Sequence, residues 1–108
     1  MALYDITELE QMAQGNNEFI TKMVSVFLET TSESLEQLLE AFAGKDLQTV
    51  SAIAHKIKPS IDLMGITSLH DVVRDIEMRA KNGEELSELV GKLDGDLKLV
   101  FKEIKSEL

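Results

Sequence analysis

Residues 47–64 read LQTVSAIAHKIKPSIDLM. Within them Leu47, Val50, Ile53, Ala54, Ile57, Ile61 and Met64 recur every three or four positions. At about 100° per residue that spacing gathers them on one face of a helix. Such a stripe must be buried against another element. The limits of the segment are also written in it: Gly44 and Asp46 precede it, Gly65 and Thr67 follow. Glycine past a helix end, then a side-chain oxygen at the next start, is the punctuation of consecutive helices. The apolar phase carries across Pro59. The helix is therefore expected to run on and bend there, with the His55 carbonyl, deprived of its N–H partner, freed to water.

The same punctuation recurs outward, with Gly15 before Asn16 and Asn17, and Gly83 before Glu84 and Glu85. A short first helix is expected from Thr7 to Gln14, capped by Asp5 or Thr7. A long second one starts near Asn17 on the seam Phe19/Ile20, Met23/Val24, Phe27/Leu28, Leu35, Leu38/Leu39 and Phe42. Its polar run Glu29 to Ser34 favours a bend over a break. A fourth runs from Ser68 to about Asn82 on Leu69, Val72, Val73, Ile76 and Ala80, and a fifth from Glu84 to the C-terminus. Gly91 and Gly95 lie inside the fifth, each costing about 1 kcal/mol relative to alanine. No stretch alternates with the period of a strand. The expected fold is all-α: an antiparallel up-down-up-down four-helix bundle, one domain over residues 1–108, with the short N-terminal helix capping one end.

Composition narrows the function. The chain has 108 residues, 44% hydrophobic and 29% charged, enough for a single core. There is no cysteine, which excludes disulfides, thiolate metal sites and thiol chemistry. Apolar runs are short, as at Val26-Phe27-Leu28, and fit neither a membrane span nor a signal-peptide core. A net charge of −9 repels a phosphate backbone, so nucleic acid is a poor partner. A cytoplasmic protein with no membrane association, and a monomer, is expected.

His55 falls roughly 150° from the centre of its helix's apolar stripe, on the solvent side. A histidine there is ordinarily a solvated surface residue. Here Lys58 follows at i+3, the exposed neighbours Ser51, Ala52 and Ser60 are small, and Lys56 and Lys58 make a positive spot on an acidic chain. A general base needs a cleft, and a bundle face is convex. No nucleophile elbow accompanies the histidine, and no Glu-x-x-His pair offers a carboxylate di-metal site. An imidazole attacking phosphorus fits best: its Nε2 is approachable, and a lysine ammonium stabilises the product phosphohistidine.

The segment Ala54-His55-Lys56-Ile57-Lys58-Pro59-Ser60-Ile61-Asp62-Leu63-Met64-Gly65-Ile66 resembles the phosphorylation helix of histidine-containing phosphotransfer (HPt) domains. Their pattern is Ala-His-x-Leu/Ile-Lys-Gly-Ser/Ala, with a further glycine ten residues after the histidine. His55, Ile57, Lys58, Ser60 and Gly65 match; Pro59 stands where the family most often has glycine. The order and lengths of the helices match along essentially the whole chain. The resemblance implies a phosphorelay protein whose His55 accepts a phosphoryl group from the aspartyl phosphate of one response-regulator receiver domain and passes it to another. Such receivers include those of hybrid histidine kinases. It implies a carrier and not an enzyme, with no cofactor or metal of its own, and Mg²⁺ supplied by the receiver. Neither a Walker loop nor a glycine-rich kinase signature is present. Lys58 then offsets phosphoryl charge. Glu77, 22 residues after His55 and at the rim of its helix's stripe, corresponds to a Glu or Gln that in some HPt domains holds the imidazole Nδ1–H. Its plainer reading is a solvated partner of Lys81.

His70 reads as a surface residue. Met12, Met23, Met64 and Met78 read mostly as core filling, with Met78 opposite its stripe. Ile6, Leu9 and Met12 divide between packing over the bundle end and an apolar docking patch. The rival from another class is a small helical adaptor without chemistry, for which His55 is dispensable.

Overall fold

Side-chain oxygens open the first three helices. The computed structural model describes residues 3–107. In it Ile6, and neither Asp5 nor Thr7, holds the cap position of α1 (Thr7–Ala13), while Asp5 Oδ1, one residue further out, accepts from the Thr7 N–H at 2.8 Å. Asn16 Oδ1 accepts from Phe19 N–H at 3.1 Å at the start of α2 (Asn17–Ala43), and Asp46 Oδ1 from Thr49 N–H at 3.2 Å at the start of α3 (Leu47–Leu63). Each satisfies a donor that the helix itself leaves unpaired. α4 (Thr67–Lys81) and α5 (Ser87–Glu107) complete the order, and no strand occurs among the described residues.

The boundaries depart from expectation where packing outweighs local chemistry. Thr67 does not cap α4: buried Ile66 holds the cap position, and its carbonyl takes the Leu69 N–H at 3.0 Å. α5 starts at Ser87 rather than Glu84, because the Glu84 N–H is spent closing α4 on the Arg79 carbonyl at 2.9 Å. At the end of α2 the left-handed residue is Lys45 (φ 60°), not Gly44. α2 runs unbroken through Glu29 to Ser34, where Thr30 Oγ1 and Ser32 Oγ donate to carbonyls of their own helix. α3 likewise continues through the exposed Pro59.

The most extensive helix contact is α3 on α4; α2 packs on α3, α4 on α5, and α2 on α5 closes the ring. Phe27 and Phe101 meet across that closure edge-to-face, ring centres 5.9 Å apart. Leu38, Val50, Leu69, Ile76, Leu93 and Leu97 are fully buried between the four helices.

The chain ahead of α1 shows which helix ends lie together. Asp5 N–H donates to the Met64 carbonyl at 2.8 Å, Leu3 N–H to Glu103 at 3.3 Å, and the Tyr4 hydroxyl to Glu107. The ends of α3 and α5 therefore share one end of the bundle, as up-down-up-down order requires. Gly65 (φ +60°) makes this crossing possible: a Cβ there would lie 2.6 Å from the Asp5 carbonyl oxygen. α1 divides as an end cap should, with Leu9 fully buried, Ile6 half-buried, and Met12 exposed instead of filling the core. No helix among the described residues is long and apolar enough to cross a membrane.

Candidate functional site

Ser51, His55 and Lys58 stand at i, i+4 and i+7 on α3, so they share one helix face. All three touch one residue of α4, Glu77. His55 Nδ1 lies 2.9 Å from Glu77 Oε2, and Lys58 Nζ lies 2.8 Å from Glu77 Oε1. Ser51 Oγ donates to the Glu77 backbone carbonyl at 2.9 Å. Lys81 Nζ approaches Oε2 from within α4 at 3.6 Å. The His55 side chain is 69% exposed while that of Glu77 is only 13% exposed. A solvent-facing ring thus rests on a largely covered carboxylate.

The protonation of the pair follows from these contacts. The Lys58 ammonium holds the Glu77 carboxyl below the usual carboxylate range; partial burial opposes it, and the His55 bond adds to it. Glu77 is then ionised at neutral pH and can only accept hydrogen bonds. The bond at 2.9 Å therefore places the proton on Nδ1. In the neutral imidazole the lone pair is left on Nε2, which no described residue bonds. This arrangement can present a nitrogen nucleophile to a group arriving from solvent.

His55 and Glu77 are thus brought together, and the plainer reading of Glu77 holds only in its Lys81 contact, since the carboxylate is largely covered and not solvated. Lys58 is present but paired with Glu77. Two expectations are corrected. Ser51 is buried at 3% exposure, and Ser60 is half-buried, because α4 and α2 cover flanks of α3 that periodicity alone left open. Nor is the face beside His55 convex. An open groove of about 820 Å³ runs from it between the first half of α3 and the last turn of α4, lined by Leu47, Gln48, Ser51, Ala52, Ala80, Lys81 and Gly83.

His70 is exposed, as expected, but not isolated. Its Nδ1 lies 3.0 Å from Asp62 Oδ1, and Arg74 Nη2 holds Asp62 Oδ2 at 2.7 Å. Arg74 first, then His70, keeps the Asp62 carboxyl below its usual range. The signal for this cluster was the i,i+4 pair His70/Arg74 beside an acidic residue at the end of α3. Among the described residues no group of three or more His, Cys, Asp or Glu is placed to hold a metal ion.

Comparison with protein families matches residues 22–106 to the Hpt domain. The chain belongs to the Hpt domain family. That family mediates phosphotransfer, its members acting as phosphocarriers. The Hpt domain is also 30% identical over 81 residues to the phosphorelay intermediate protein rdeA of Dictyostelium discoideum. The alignment covers 75% of this chain and 32% of the relative, so the Hpt domain spans about a third of that protein's length. No solved structure matches it.

Proposed function

We propose that this Hpt domain is a phosphorelay intermediate that accepts a phosphoryl group on His55 from one receiver domain and delivers it to another. The observation that carries the reading is the exposed imidazole whose Nδ1 is held at 2.9 Å by Glu77. The Nε2 lone pair attacks the phosphorus of an aspartyl phosphate, the P–O bond to the aspartate breaks, and the carboxylate leaves. The ring then carries Nδ1–H, an N–P bond and a positive charge, which the Glu77 carboxylate faces. Lys58, one turn on, exchanges its Glu77 partner for a phosphoryl oxygen. Attack by the aspartate of a second receiver reverses the step. Mg²⁺ comes with the receivers, one of which can belong to a hybrid histidine kinase. The domain works as a monomer in the cytoplasm with them.

The test is incubation with a phosphorylated receiver domain. Acid-labile, base-stable label should appear on the wild-type chain and be absent from His55→Gln, whose helical signal and melting temperature should match wild type. Label on His55→Gln rules out this acceptor. Stable receiver binding without label on the wild type favours the adaptor.

A further inference from the structure

Glu77 is gripped at both ends. Its carboxylate is held by His55 and Lys58, and its backbone carbonyl by Ser51, one turn earlier on the same face of α3. Ser51 is 3% exposed, and its hydroxyl bonds another helix instead of a carbonyl of its own turn. A helix-interior carbonyl already accepts one N–H, so Ser51 uses its second lone pair. The consequence is a fixed register. A carboxylate hangs from its backbone by a flexible side chain. A bond to the carbonyl of the same residue pins that backbone against α3 within one turn of the histidine.

We infer that Ser51 is a positioning residue for His55: by holding the Glu77 backbone it keeps the carboxylate on Nδ1 and so keeps Nε2 free to attack. This rests on the phosphotransfer reading above. Ser51 touches neither the imidazole's reacting nitrogen nor an incoming phosphoryl group; it acts through Glu77. Lost with the hydroxyl is the register, not the helix, because alanine is the best helix former and the position is already small.

The experiment is a double-mutant cycle read in two ways. Wild type, Ser51→Ala, Glu77→Ala and the double variant are compared for initial rate of label uptake from a phosphorylated receiver. The same four chains are compared for the ring ¹⁵N shifts of His55, which report the tautomer. Ser51→Ala should slow uptake about 3- to 10-fold, a shift of roughly one positioning bond. It should move the ¹⁵N shifts toward a mixed tautomer, in the direction Glu77→Ala moves them. In the Glu77→Ala background it should change neither. A buried serine with only a packing role would lower the rate equally in both backgrounds and leave the tautomer alone. Either result, or a Ser51→Ala chain with wild-type rate and shifts, overturns the proposal. If wild type takes no label, the phosphotransfer reading fails by itself, and the tautomer comparison still decides whether Ser51 positions the ring.

Discussion

In the proposed transfer a single proton on Nδ1 of His55 decides what that residue can do, and the contact with Glu77 decides where the proton sits. Glu77→Gln should be milder than Glu77→Ala, because an amide oxygen still accepts the Nδ1–H bond while a methyl group does not. Uptake of label and the ring ¹⁵N shifts both read this ordering, and equal losses would show that Glu77 acts only through charge. The pair also has a pH signature. Lys58, then His55, lower the folded-state pKa of Glu77 below its ordinary 4.5. A depressed carboxyl stabilises fully above its unfolded value, and the contribution is lost as pH falls through the folded value. Between neutral pH and about pH 3, wild type should therefore lose more melting temperature than Glu77→Gln does. The difference should correspond to on the order of 1 kcal/mol. Parallel curves would remove the ionised contact from the stability of the fold.

At the scale of the element, α3 carries both His55, the proposed nucleophile, and its own weak point. Pro59 lacks the N–H that would bond the His55 carbonyl, yet the helix runs on to Leu63. It does so because Ile57 and Ile61, buried on either side of the proline, hold the helix to the core. Pro59 itself is exposed, so the lost bond faces water and not the interior. Pro59→Ala should raise the melting temperature, by about 1–3 kcal/mol of restored helix stability. Thermal unfolding followed by circular dichroism measures it. A variant no more stable than wild type would mean that the turn after His55 is already relaxed around the proline.

The bundle as a whole is tied at one end by its own N-terminal segment. Tyr4 reaches Glu107 at the end of α5, and Asp5 lies against Gly65 at the turn between α3 and α4. Burial, and then the bonded Glu107, push the Tyr4 hydroxyl up to about 12. A raised acid of this kind stabilises fully below its unfolded value near 10, and the contribution fades as pH rises through the folded one. Tyr4 is the single tyrosine, so absorbance of the phenolate reports it without interference. Its titration should centre near 12 in the folded chain and near 10 in urea. A folded midpoint near 10 would mean that the segment does not hold the two helix ends in solution.

Helix number, the approximate helix extents, the solvent side of His55 and the rim position of Glu77 were all legible in the chain. Each depends on a 3.6-residue period or on the chemistry of one cap, and those act within a turn or two of the residue that carries them. Tertiary structure alone decided that Ser51 is buried and bonded to Glu77, and that Lys58 spends its charge on that same carboxylate. It alone put a groove beside His55, joined Asp62 to His70 and Arg74, and left room at Gly65 only for a glycine. Each of these turns on how closely α3 and α4 approach and in what register, or on where the chain ahead of α1 crosses their turn. Those distances are set by the fit of every buried side chain at once, and no local period records them.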